Sequence, residues 1–434
     1  MDTTICLLLV VAAMVLAVWQ VPKHTAVSPI DEYVYIDYLA KVPTQFVVQR
    51  GEDTGQYARL YLSCHGVRAI GLYPQSMCTD WQPSDVDRMP QAGKTTADIY
   101  TPLYFAATWL MAQPLRLVGV EDLTTAGRLA GWTWLAAAAV LLYLSLRRLR
   151  VHPVVAGGLG LLLVGSLPAY WSNTYVSTDA TALLAGSLML FGVTMLLRPG
   201  AGRGARWLFV LFALLVTLAK MQNLMAVVAA AMVLVILAAG AAFRRERGRR
   251  LHTFVRDHHV HTAVLAFLVA LAGQAAWLVI RNAIALESGA YEGAPSPLTA
   301  TALLREMFKF FPGVSVGALD PEDVGVAAIV ASTVMTWVIV AGVLGLLAVA
   351  RRGSTDEALA LSSFVVALLA APFLALASTV LSGYYVDLVA RYGMSLLPFF
   401  LACAGVLFTR SIWTRSLAPA VGVLSYGAML SLTG

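Results

Sequence analysis

Long apolar runs alternate with short charged clusters along almost the whole chain. Runs long enough to cross a membrane fall at 5–22, 126–146, 153–171, 178–197, 207–220, 222–243, 262–281, 325–350, 358–381, 392–409 and 416–432. A helix needs about 20 apolar residues to cross the hydrocarbon. The pattern therefore predicts an all-α polytopic membrane protein of about 11 transmembrane helices, one domain over 1–434 with no separate soluble domain. The run at 207–220 is short and needs a thinned bilayer or help from its neighbours. The first run is long and lacks a small-residue cleavage site, so it reads as a retained helix and not a signal peptide.

Segment 101–118 is apolar but carries Pro102, Pro114 and Arg116. If it does not cross, Arg147, Arg148, Arg150, Arg198, Arg203, Arg206, the 244–250 run, Arg351, Arg352, Arg410 and Arg415 all fall inside, as the positive-inside rule demands. If it crosses, all of them move outside. The segment is therefore expected to lie in the outer interface or re-enter there. The N-terminus is then inside, the C-terminus outside, and the large loops 23–125 and 282–324 are extracytoplasmic, with interfacial helices in the first. Short outer connections follow at 173–177, around Lys220 and at 382–391. Trp19, Trp171 and Trp277 are expected near the outer interface, and Trp207 and Trp413 near the inner one.

Composition narrows the class. The chain is 59% hydrophobic and 12% charged, with a mean hydropathy of +0.75, against a charged share of roughly a quarter in soluble domains. The net charge of +6 comes from arginines in short loops and does not suggest nucleic acid. His258, His259 and His261 offer metal-ligand chemistry, although a solvated juxtamembrane stretch explains them too. Cys6 and Cys403 fall in apolar runs. Cys64 and Cys78 share the first large loop and can pair if it is extracytoplasmic, which contributes about 3 kcal/mol in the chain-entropy model; the alternative is two reduced thiols.

The polar residues with chemical potential map to one face. Asp31 and Glu32 follow the first span, Asp179 opens the fourth, and Lys220 marks a hairpin beside Gln222 and Asn223. Arg391 and Tyr392 open the tenth, behind Tyr384, Tyr385 and Asp387. Charges at membrane ends are paired, snorkelling or functional. A carboxylate just outside the bilayer can serve as a base for a substrate delivered by lipid. Asp31 fits that role and equally fits an N-cap for an amphipathic helix over 32–41. Lys220 fits a snorkelling anchor, Arg391 a partner for Asp387 one turn away, and Asp179 an interfacial cap.

At these residues the chain resembles the GT-C superfamily of polyprenyl-phosphate-sugar-dependent glycosyltransferases, in particular the bacterial relatives of protein mannosyltransferases. That family carries an Asp-Glu pair in the first outer loop within a pattern like DExxHxDY. Here it reads Asp31-Glu32-Tyr33-Val34-Tyr35-Ile36-Asp37-Tyr38, with Tyr35 where His is frequent. Tyr100-Thr101-Pro102-Leu103-Tyr104, Gly127-Arg128-Leu129, Thr178-Asp179-Ala180, Leu218-Ala219-Lys220, and Arg391-Tyr392 with Pro398 are similar to further family motifs, in the same order. The resemblance implies a GT-C-like fold, an extracytoplasmic site in the cell membrane, and a sugar donor carried on polyprenyl phosphate. It implies Asp31 as the catalytic base, Glu32 and Asp179 as supporting acids, and Lys220, Arg391 and Tyr392 around the donor phosphate. The acceptor would be a glycan, a glycolipid or a protein. No metal is expected; magnesium or manganese held by Asp31 and Asp179 is the alternative, since some GT-C enzymes use one. A lipid or sugar transporter or flippase, and an O-antigen-type polymerase or ligase, are the rival functions. The first rival expects charge at mid-membrane, and the second an arginine-rich outer loop, whereas Arg50, Arg59, Arg68 and Arg88 are scattered.

Overall fold

The computed structural model describes residues 1–67, 78, 89–243, 250–286, 297–318, 320–382 and 385–433. Arg68, Arg88, Tyr384 and the 244–249 part of the basic run lie outside the described residues, as do the middle portions of both large loops. In chain order the helices are α1 (Asp2–Gln20), α2 (Glu32–Gln45), α3 (Gln56–His65), α4 (Leu103–Leu117), α5 (Leu123–Arg148), α6 (Pro153–Val164), α7 (Leu167–Thr174), α8 (Ala180–Leu196), α9 (Arg203–Ala219), α10 (Leu224–Phe243), α11 (Arg250–Val255), α12 (His258–Ala283), α13 (Ala300–Glu306), α14 (Pro321–Val324), α15 (Val326–Val349), α16 (Thr355–Ser382), α17 (Leu397–Phe408) and α18 (Ile412–Ser431). There is no strand among the described residues. Seven helices there are long and apolar enough to cross a membrane, or eight if the bent pair α6–α7 is one span. This marks a multi-pass membrane protein. Helices α8 and α9, at 17 residues each, cover two of the other expected spans, and α18 covers the last.

Two of the expected spans are not regular α-helices throughout. The 153–171 run is not one straight helix: α6 and α7 bend by 54°. The break follows from Gly165-Ser166-Leu167-Pro168, because Ser166 caps α7 through the Ala169 N–H and Pro168, lacking a donor, is confined to the first turn of the new helix. The 392–409 run opens as a 3-10 turn, Ala390–Leu396, before α17 begins. Trp171 and Trp277 are buried near the ends of their helices: Trp171 packs on Tyr175, and Trp277 donates to the Ile99 carbonyl. Trp19, Trp207 and Trp413 are exposed on the helical surface.

The helix ends sort into two sets. At one end Asp2 accepts from Tyr143 and Arg147, and Arg410 pairs with Asp356. At the other, Lys23 after α1 reaches the carbonyls of Leu430 and Leu432, His24 bonds Thr174, and Arg281 at the end of α12 pairs with Asp98. Helix α4 stays with this second set. Its Thr108 accepts from Trp134 in the first half of α5, and residues 118–122 return the chain directly to the start of α5. It does not run through to the arginine-rich end.

The described part of the first large loop forms its own apolar cluster above the bundle, with Tyr33, Tyr35, Tyr38, Leu39, Leu62 and Phe105 at its centre. Helix α2 was expected to be amphipathic, yet residues 32–39 are buried on every side. Its polar groups are matched internally instead. The Tyr33 hydroxyl meets Thr54, and Asp37 accepts from the Gly55 N–H and pairs with Lys41. Helix α3 ends at a disulfide between Cys64 and Cys78, with Cα atoms 4.2 Å apart.

Candidate active site

Asp31 sits at the N-terminus of α2 with φ at 58°. Asp tolerates this left-handed region better than most residues, but it still needs local support. The support is its neighbour. Glu32 is fully buried and accepts four hydrogen bonds: from Ser28 N (2.7 Å), Arg128 Nε and Nη2 (2.8 Å each) and Val176 N (2.9 Å). Arg128 also donates to the carbonyls of His24 and Ala26, and its guanidinium lies 5.0 Å from the Tyr175 ring centroid. One carboxylate thus ties the turn bearing Asp31, the first turns of α5, and the segment leading to Asp179. Sequence reasoning noticed Arg128 only as part of a motif. A charge inside an apolar run was the available signal that it had a partner.

The Asp31 side chain makes no cap bond to α2. Its Oδ2 accepts instead from Arg391 Nη2 at 2.9 Å. Arg391 Nε lies 3.7 Å from Asp179 Oδ2 and makes no hydrogen bond among the described residues. Asp179 Oδ1 in turn pairs with Lys220 Nζ. So four charges from four distant segments alternate in one row: Asp31, Arg391, Asp179, Lys220. Accessibility falls along it, from 44% for the Asp31 side chain to 12% for Arg391, 3% for Asp179 and 2% for Lys220. Lys220 does not snorkel to solvent, Asp179 does not cap α8 with its side chain, and Arg391 is not joined to Asp387. That aspartate is held by Arg305 and Lys309.

Local packing sets this register. Asn223 Nδ2 donates to Thr181 Oγ1 and to the Val216 carbonyl, locking the α9–α10 hairpin against the start of α8. Gly186 lets α8 touch the Arg391 turn, since a Cβ there would stand 2.2 Å from the Ser395 carbonyl. Aromatic rings wall the row. Lys220 Nζ is 5.8 Å from the Tyr100 centroid and 5.9 Å from that of Tyr392, and Arg391 lies 5.6 Å from the latter. Thr178 donates to the Tyr35 hydroxyl, which donates to Tyr100. Burial holds both phenols well above the ordinary tyrosine value, so both remain neutral donors.

The Arg391 guanidinium contacts both the Asp31 and the Asp179 carboxylates, the two that could share a divalent ion. The described residues that could group around a metal, Asp257, His258 and His259, stand at the start of α12, where Asp257 caps the helix through the His259 N–H.

An apolar cavity of about 730 Å³ runs between α10, α12 and α16. Its lining includes Met221 and Gln222, which follow Lys220 in the chain, together with Met225, Val228, Phe267 and Phe373. Gln222 is the lone polar side chain among its described lining residues, and its Oε1 has no hydrogen-bond partner there.

The likeness to a solved structure shows a GT-C-like fold. A solved structure with this architecture is ArnT from Cupriavidus metallidurans in the apo state, to which the chain is similar with a TM-score of 0.51 and 16% identity. The match covers 93% of this chain and 59% of that one, so the chain spans little more than half the length of its structural neighbour. No protein-family model matches the chain. No curated protein matches it either.

Proposed function

We propose that the protein is an inverting glycosyltransferase that moves a sugar from a polyprenyl-phosphate donor to an acceptor hydroxyl at the extracytoplasmic face. The observation that carries this reading is the charge row: a solvent-accessible carboxylate, Asp31, set against cations from two other segments. The acceptor hydroxyl attacks the anomeric carbon and gives its proton to Asp31. The bond from that carbon to the lipid-phosphate oxygen breaks on the opposite face, which inverts the configuration. A positioned carboxylate base contributes about 10² to 10⁴ in rate. The departing phosphate keeps the bonding electrons, and Arg391 and Lys220 stabilise its charge. The planar, forked guanidinium of Arg391 is suited to a phosphate.

The apolar cavity, whose lining includes the two residues that follow Lys220 in the chain, supports a lipid-borne donor, since it offers a prenyl chain a dry environment. A transporter would instead be expected to hold ionisable groups at mid-membrane. Here the ion pairs at helix ends, and a cavity lined by apolar side chains, favour surface chemistry. The test is transfer from labelled polyprenyl-phosphate sugars to membrane-extracted acceptors by purified protein. Transfer by wild type and its loss in Asp31→Asn are expected; near-normal turnover in that variant would remove Asp31 from the mechanism.

A further inference from the structure

The second large loop carries a buried carboxylate that the mechanism above does not use. Glu306, the last residue of α13, is fully buried. Its Oε1 accepts from the Tyr385 hydroxyl and from the Leu388 N–H at 3.2 Å. Leu388 lies three residues before Arg391, in the extended segment that feeds the turn Ala390–Leu396. The chain after Glu306 forms the bed of the same turn. Phe310 packs so closely on Gly393 that a Cβ there would approach its ring to 2.7 Å, and the Ala390 Cβ stands 3.8 Å from where a Cβ on Gly313 would be. Arg305 and Lys309, one on each side of Glu306, clamp Asp387.

We infer that Glu306 is a positioning residue for the donor phosphate: through the Leu388 N–H it sets the approach of the Arg391 turn, and so the direction of the guanidinium between Asp31 and Asp179. The inference rests on the donor reading above and extends it to a residue outside the charge row. Without this acceptor, the Leu388 N–H is stranded in a buried setting, and the segment must shift to satisfy it. Arg391 then points elsewhere while retaining its charge. Glutamine keeps a carbonyl acceptor at the same reach and so preserves the bond.

The experiment measures binding of a C55 polyprenyl monophosphate and of the uncharged C55 polyprenol to full-length protein in detergent. Wild type should prefer the phosphate. Glu306→Ala should weaken binding of the phosphate about tenfold and leave polyprenol binding unchanged, while Glu306→Gln stays near wild type. Glu306→Ala combined with Arg391→Ala should be no weaker than Arg391→Ala alone. Wild-type affinity in Glu306→Ala, equal loss for both lipids, a glutamine variant as weak as alanine, or additive losses in the double variant would each overturn the inference. A wild-type protein that binds both lipids alike would instead remove the donor reading, and the inference would fall with it.

Discussion

Asp31 and Glu32 are neighbours in the chain, yet their environments are opposite. Glu32 has no contact with solvent, two bonds from one arginine and two from backbone amides. Asp31 has one ion-pair partner and keeps 44% of its side chain in solvent. A carboxylate whose lone pairs are committed to fixed donors cannot accept a substrate proton; one that pairs with an arginine and stays part-exposed can. The adjacent pair thus divides into a support and a reactive group, and identity of residue type says nothing about which is which. Arg128 and Arg391 divide in the same manner, since the Arg128 side chain is 1% exposed and its contacts lie inside the fold, whereas Arg391 is 12% exposed and pairs with the part-exposed Asp31.

The comparison is broken most sharply by swapping the losses. Asp31→Asn should lower turnover by about 10² to 10⁴ and leave the melting temperature in detergent unchanged, because a part-exposed ion pair contributes at most about 1 kcal/mol. Glu32→Ala should do the reverse at its source. It strands Arg128 in the interior, and removing one member of a buried pair costs about 3–5 kcal/mol, read as a large drop in thermal stability and in yield of folded protein. Equal stability of the two variants would erase the distinction. Arg391→Lys is a milder probe. It keeps the positive charge but loses the fork, so affinity for polyprenyl phosphate should fall about tenfold with folding intact, and unchanged affinity would assign Arg391 to structure alone.

Much of the architecture was legible because hydrophobic length is a direct physical requirement. Helices α1, α5, α10, α12, α15 and α16 stand where apolar runs of sufficient length occur. Sequence reasoning also selected Asp31, Asp179, Lys220, Arg391 and Tyr392, which the fold brings together. Tertiary pairing was illegible. Helix α2 looked amphipathic because Tyr33, Asp37 and Lys41 are polar, but each has a partner in the loop that covers it. Glu306 gave no signal at all, since a glutamate in a polar loop is unremarkable until a buried amide is found against it. Arg128 did give one, through its cost within an apolar run, although the run does not name the partner.

The smallest effect is the most informative about that limit. Spacing places Asp387 one helical turn before Arg391, so sequence logic pairs them, and a substitution at Asp387 should then cripple donor binding. In the fold the intervening chain is extended before the 3-10 turn begins, and a four-residue separation no longer brings the side chains to one face. Asp387 turns to Arg305 and Lys309, and its own side chain is 54% exposed, where screening leaves an ion pair little net effect. Asp387→Asn should therefore change affinity for polyprenyl phosphate by less than about twofold, in contrast to the tenfold expected at Arg391. A loss at Asp387 as large as that at Arg391 would mean that the aspartate does reach the guanidinium, and that the row from Asp31 to Lys220 is joined differently from the arrangement seen here.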